Sequence, residues 1–290
     1  MRLGLVIATY RRPNILGATL THLFSQQHIP DHIVISAVTS ADIPDLGPHS
    51  ERVHVVFGNA GLTAQRNKGL AYLIDCSDVV AFIDDDFIVG KDYFSSVRNI
   101  FAQNASIVGA TGVVIADGAQ SGGLTFEEGL RLVEQFPSRE VTPTIWDVRG
   151  TYGCNMAFRA ASIGTLRFDE RLPLYGWQED MDFSGALRPM GRIVKTNLFW
   201  GVHLGTKNGK DSEVRLGYSQ IINPAYIWNK GNMSFAYALR LAIKNLLANI
   251  AKSIRPESYV DRRGRLRGNA IGIFYLLTGR LLPEHILNMK

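Results

Sequence analysis

The chain has only two cysteines, Cys76 and Cys154, among its 290 residues. That is too few for a disulfide framework or a cysteine-based zinc cluster. It also lacks any stretch of eighteen uninterrupted apolar residues, so no membrane-crossing helix is expected. The first apolar run, Leu3 to Ala8, is too short for the core of a secretion signal. These absences predict a cytoplasmic protein. No GxGxxG follows the first apolar run, which removes the fingerprint of a dinucleotide dehydrogenase. No GxxxxGK[ST] occurs, so a P-loop phosphotransferase is excluded, and no GxSxG elbow supports an α/β-hydrolase.

What is present is an ordinary globular composition, 46% hydrophobic and 20% charged. The net charge of +5 conceals an asymmetry. Lys230 to Lys290 carry eleven Lys or Arg against three acids, a net of +8, and the preceding 229 residues carry a net of −3.

Short β-rich runs alternate with amphipathic ones through the first hundred residues. Strands are expected at Leu3–Ala8, His32–Ser36, Val53–Phe57 and Val79–Ile83, with helices at Asn14–Gln27, Gly61–Ile74 and Lys91–Phe101. This alternation predicts an α/β fold with a mostly parallel central sheet flanked by helices. In such a sheet, ligands bind where strands end. Three polar segments fall there: Thr9–Arg12, Gly61–Asn67 and Asp84-Asp85-Asp86. Further strands are expected at Ile107–Ile115 and Gly153–Phe158, the first followed by the glycine-rich loop Asp117–Gly123. Phe235–Ile254 and Gly268–Leu282 read as helices joined by the basic stretch Arg262–Arg267.

Three carboxylates in a row repel one another unless a cation offsets them. Placed directly after a buried strand, the Asp triplet predicts a site for Mg2+ or Mn2+ with substrate phosphates. Glu179, Asp180 and Asp182 precede an expected helix, where they either complement its dipole or include a general base. His203, between Gly201 and Gly205, is a candidate metal or phosphate ligand.

Val6–Pro13, Gly61–Gly69, Phe82–Asp86, Gly153–Arg159 and Trp177–Phe183 together resemble, in order, the motifs of glycosyltransferase family 2. The resemblance spans about residues 1–205. It implies a GT-A fold at 1–229, with a nucleotide-sugar half at 1–115 and an acceptor half at 116–229, while charge and apolar spacing set off a basic helical tail at 230–290. It implies that Thr9, Tyr10, Arg11, Asp42, Arg66, Asn67, Asp84 and Asp85 serve the donor. Asp84, Asp86 and His203 would hold Mn2+ or Mg2+. Asp180 would be the catalytic base, helped by Glu179, with Trp177 and Asn155 against the acceptor. The processive members' QxxRW motif is absent, so transfer of one sugar with inversion is expected, most simply from a UDP-sugar to a glycan or lipid-linked saccharide. The alternative is a non-catalytic nucleotide-sugar binding or scaffold protein on the same fold.

The tail is open to two readings. It lies on an anionic membrane surface, making the protein peripheral to the inner face of the cell membrane, or it packs on the domain as a helical hairpin. Few aromatics interrupt the basic stretch, so nucleic acid is not an expected partner.

Overall fold

The computed structural model describes residues 1–136, 142–206 and 212–289. Its sheet has nine strands in the order β3-β2-β1-β4-β8-β6-β9-β5, with β7 also paired to β9. The strands are β1 (Leu3–Ala8), β2 (His32–Ala37), β3 (Val53–Phe57), β4 (Val79–Asp84), β5 (Phe87–Val89), β6 (Ile107–Asp117), β7 (Ile145–Asp147), β8 (Asn155–Arg159) and β9 (Arg192–His203). Among them run α1 (Pro13–Phe24), α2 (Leu62–Leu73), α3 (Tyr93–Gln103), α4 (Phe126–Gln135), the single turn α5 (Ala160–Ile163) and α6 (Glu179–Leu187).

β1 is parallel to β2 and to β4, and β2 is parallel to β3. Every core residue of β1 is buried on both sides, as parallel strands under two helical layers require. Proline opens α1 at a position whose amide would have no helical partner. Thr125 and Glu128 form a reciprocal capping box that starts α4. Antiparallel β8 then separates β4 from β6. The main core lies along these strands and includes Leu5, Ile7, Ile83, Phe87, Phe94 and Val194.

The chain forms two compact units. The first holds the sheet: residues 1–60, 64–167 and 187–208. The second joins residues 61–63, 168–186 and 209–290. It contains α6 and three further helices, α7 (Glu213–Asn229), α8 (Phe235–Ser253) and α9 (Arg262–Leu277). Packing thus groups α7 with the tail, where the sequence reading sets it among residues 116–229.

The basic stretch is not a connector. Arg262–Arg267 is the first part of α9, which is capped by Asp261 through the Gly264 amide and ends at Leu277. Two glycines lie where α9 meets α7. A Cβ at Gly268 would lie 2.0 Å from the Val214 carbonyl oxygen, and one at Gly217 would lie 2.1 Å from that of Arg265. Beside this contact a buried amide network links Asn249, Asn269 and Gln220. Among the described residues no helix is long and apolar enough to cross a membrane.

Candidate metal and donor site

The strand registers assemble the site. β1 against β4 pairs Ala8 with Asp84 and so sets Thr9 beside the Asp triplet. β9 pairs His203 with Phe87 on one side and with Asp117 on the other. One histidine therefore lies next to both Asp86 and the last residue of β6. The approach of the segments leaving β6 and β9 is close: a Cβ at Gly118 would sit 1.9 Å from the Leu204 carbonyl oxygen, and Gly205 has a φ of +63°.

Asp84, Asp86 and His203 place one ligand atom each within 4.8 Å of one another, and Asp86 and His203 are buried. His203 Nε2 lies 3.7 Å from Asp84 Oδ2 and 3.4 Å from Asp86 Oδ1. Its Nδ1 is 2.8 Å from Asp117 Oδ1, and the other oxygen of Asp117 accepts from the Tyr152 hydroxyl at 2.8 Å. This arrangement holds the ring with Nε2 towards the aspartates, as the outer partners of metal-binding histidines do. Asp86 Oδ2 accepts from the Thr206 amide at 2.7 Å, whereas buried Asp86 Oδ1 has no hydrogen-bond partner. Two carboxylates and an imidazole with an orphaned buried oxygen fit a small divalent cation.

The charges are strongly coupled. Burial alone would lower the His203 pKa, but Asp117 and Asp86 raise it to about 10. Burial opposes ionisation of Asp86, yet His203 and Arg12 hold it below the ordinary carboxylate range. The same balance at Asp117, with His203 and Tyr152 as partners, brings that group to about 2. The carboxylates of Asp86, Asp117 and Asp84 thus favour positive charge at this point.

Several expected ligands have other partners. Thr9 is buried and donates to Asp85 at 2.7 Å, and Arg12 binds Asp85 at 3.0 Å and Asp86 at 3.3 Å. Asp85, placed against the donor by resemblance, ties the end of β1 to β4 through these bonds, its pKa raised by burial. Asp42, expected near the ribose, accepts from the backbone of Arg11, Val38 and Thr39 and from the Thr39 hydroxyl. Its bond to Arg11 secures a residue at φ +56°. Asn155, expected against the acceptor, lies wholly in the core and accepts from the Tyr93 hydroxyl. The motif order identifies these positions, but the side chains point into the protein.

The remaining candidates differ in exposure. Tyr10 is exposed and stacked under the Arg11 guanidinium at 4.8 Å. Arg66 is buried, donating to Asp84 at 3.1 Å and to the Gly153 carbonyl at 2.8 Å, with half-buried Asn67 beside it on α2. Asp117, Arg12 and Tyr152 received no role from the sequence. Asp117 stands where β6 ends, and that position was the available signal.

In the second unit, Glu179, Asp180 and Asp182 fill the first turn of α6. The loop before them carries Leu174, Gly176 and Gln178 at positive φ, a strained entry of the kind found at functional sites. Half-buried Trp177 sits in that loop, its carbonyl accepting from Asn223 at 2.8 Å. Asp182 is bound by Lys230 at 2.6 Å and by Asn232 at 2.8 Å. Lys230 also reaches Asp169 at 2.6 Å, which takes a further bond from Tyr226. Glu179 is buried, and Asp180 is half-buried with Oδ1 accepting from the Met181 amide.

The architecture is the GT-A fold of glycosyltransferases. S. aureus TarS matches it with a TM-score of 0.59 at 14% identity, over 99% of this chain and 82% of that one. The Pyrobaculum calidifontis mannosyltransferase PcManGT, solved with GDP-Man and Mn2+, matches with 0.54 at 14% identity, over 99% and 85%. Residues 2–144 match the model of the glycosyltransferase-like family 2. A glucosyl-dolichyl phosphate glucuronosyltransferase of Haloferax volcanii is 26% identical over 167 residues, 55% of this chain. That alignment spans about half of the relative's length, 53%.

Proposed function

We propose that this protein transfers a single sugar, with inversion, from a nucleotide diphosphate sugar to an acceptor hydroxyl. The observation that carries this reading is the Asp84–Asp86–His203 cluster on a chain that matches the family 2 model, with its orphaned Asp86 oxygen. Asp84, Asp86 and His203 would hold Mn2+ or Mg2+. When bound, the ion offsets the charge developing on the departing diphosphate. Tyr10 and Arg11 offer an aromatic and cationic edge to the nucleotide, and Arg66 fixes Asp84 for the donor sugar.

Asp180 is the proposed base. It accepts the proton of the acceptor hydroxyl as the oxygen attacks the anomeric carbon. The bond from that carbon to the diphosphate breaks on the opposite face, and the nucleoside diphosphate leaves with the electron pair. Glu179 and Trp177 would position the acceptor. A UDP-sugar remains the proposed donor. TarS has been solved with UDP-GlcNAc, and a lipid-linked acceptor accords with the dolichyl phosphate in the relative's name. The proposed location is the cytoplasm, peripheral to the inner membrane face.

Calorimetry with UDP and UDP-sugars tests the donor side. Binding should require Mn2+ or Mg2+ and vanish in EDTA or in Asp86→Ala. Equal affinity with and without the ion would remove the metal assignment. Tight donor binding with no transfer to any glycan or lipid-linked acceptor would return the chain to a non-catalytic binding role.

A further inference from the structure

Helix α8 has three faces. Ala238 and Asn249 turn inward and are buried. A second face follows i, i+4 spacing through Phe235, Leu239, Ile243 and Leu247 and continues to Ile250 and Ile254, all between 45% and 80% exposed. A third row, one position further round, begins with exposed Arg240 and Lys244. At the start of the apolar row Phe235 packs against exposed Trp228, ring centroids 5.0 Å apart. Scattered apolar residues on a surface need no explanation, but an unbroken stripe along five turns does.

The charge around the stripe has one sign. Neither α8 nor α9 contains a carboxylate. Some of their cations are matched from outside these helices, Lys252 and Arg262 by Glu257 and Arg265 by Glu213. Arg240, Lys244, Arg255, Arg263 and Arg267 have no ion-pair partner among the described residues. A second copy of the chain laid on the same face would bring these cations against their like. A surface of anionic lipid complements them and receives the apolar row as well.

We infer that α8 seats on an anionic bilayer surface, lying in its plane with the Phe235–Ile254 stripe below the headgroups and Arg240 and Lys244 against phosphate. Trp228 and Phe235 would occupy the interfacial level that aromatic side chains favour. This docking is independent of the transfer chemistry, which donor binding in solution reports separately.

The test is flotation of the full chain with vesicles of phosphatidylcholine alone and of phosphatidylcholine mixed with phosphatidylglycerol. Partition should need the anionic lipid and weaken as salt rises. Each cation near such a surface contributes about 1 kcal/mol, so Arg240→Gln with Lys244→Gln should lower partition about thirtyfold. Leu239→Ser with Ile243→Ser should abolish the salt-resistant fraction. An unchanged metal-dependent thermal shift with UDP would show that the variants are folded. Equal partition onto neutral vesicles, no partition, or insensitivity to both variant pairs would overturn the inference. Self-association abolished by the serine pair, without vesicle binding, would assign the face to a second copy instead.

Discussion

Asp84, Asp85 and Asp86 at the end of β4, and Glu179, Asp180 and Asp182 at the start of α6, each crowd three carboxylates into a few residues. They are neutralised differently. On β4 the counter-charges are Arg12, Arg66 and His203, contributed by the neighbouring β1–α1 turn, by α2 and by β9. On α6 the helix N-terminus and Lys230 do this work. In both, one carboxylate is committed to structure, Asp85 to Thr9 and Arg12, Asp182 to Lys230 and Asn232. What sets the clusters apart is the remainder: the first leaves two aspartates converging on an imidazole, the second leaves Asp180 half-buried in the first turn of α6.

The sharpest way to break this comparison is at Asp180. Asp180→Asn should lower turnover by about a hundredfold or more, the usual scale of general-base catalysis, with metal-dependent donor affinity nearly unchanged. Steady-state kinetics beside calorimetry would show it, and near-normal turnover would move the base to another residue. Asp117→Asn should weaken Mn2+ binding by about ten- to a hundredfold, measured by electron paramagnetic resonance of free Mn2+, because the His203 ring loses its orienting partner. Wild-type affinity would make the Asp117 contact incidental.

The His203 proton sharpens the contrast further. Its pKa is raised from 6.5 to about 10, so its stabilisation of the fold is complete below pH 6.5 and is lost as pH rises through 10. Metal binding needs the neutral ring and so runs the other way. Mn2+ affinity should rise by up to about tenfold per pH unit across neutral pH, and a flat titration would contradict a protonated His203. The smallest effect is expected at Lys230→Met, which leaves Asp169 and Asp182 without their shared cation. A loss of about 1–2 kcal/mol in chemical denaturation should follow. Asp169 is desolvated, yet Lys230 and Tyr226 hold its pKa below the ordinary value. Its contribution is therefore present above about pH 4 and lost as pH falls through the lowered pKa, and the variant should lack this acid-sensitive step. An unchanged acid limb would deny the bridge any role.

The sheet strands β1 to β4 were legible because a buried parallel strand writes itself as a short apolar run between turn residues. The Asp triplet was legible because its position at a strand end and its repulsion both call for a cation. α7 was not seen, since Gly217 and Pro224 interrupt its pattern, and both are buried where packing outweighs propensity. The first turns of α9, Arg262–Arg267, read as a connector because their run of charge hides the helical spacing. Thr9, Asp42, Asp85 and Asn155 were assigned to ligands because a motif fixes position along the chain. It does not say that Thr9 will find Asp85 from 76 residues away.

The Lys230 bridge also bears on how the protein can be dissected. The cation comes from the residue after α7, whereas the carboxylates it joins belong to the segment before and within α6. A protein shortened to residues 1–229 to isolate a catalytic body would leave two neighbouring anions in that body uncompensated. Loss of activity in such a fragment would then say little about the membrane, because the cut runs through the scaffold of the α6 acids. Point changes on the outer row of α8 separate the two roles, and deletion does not.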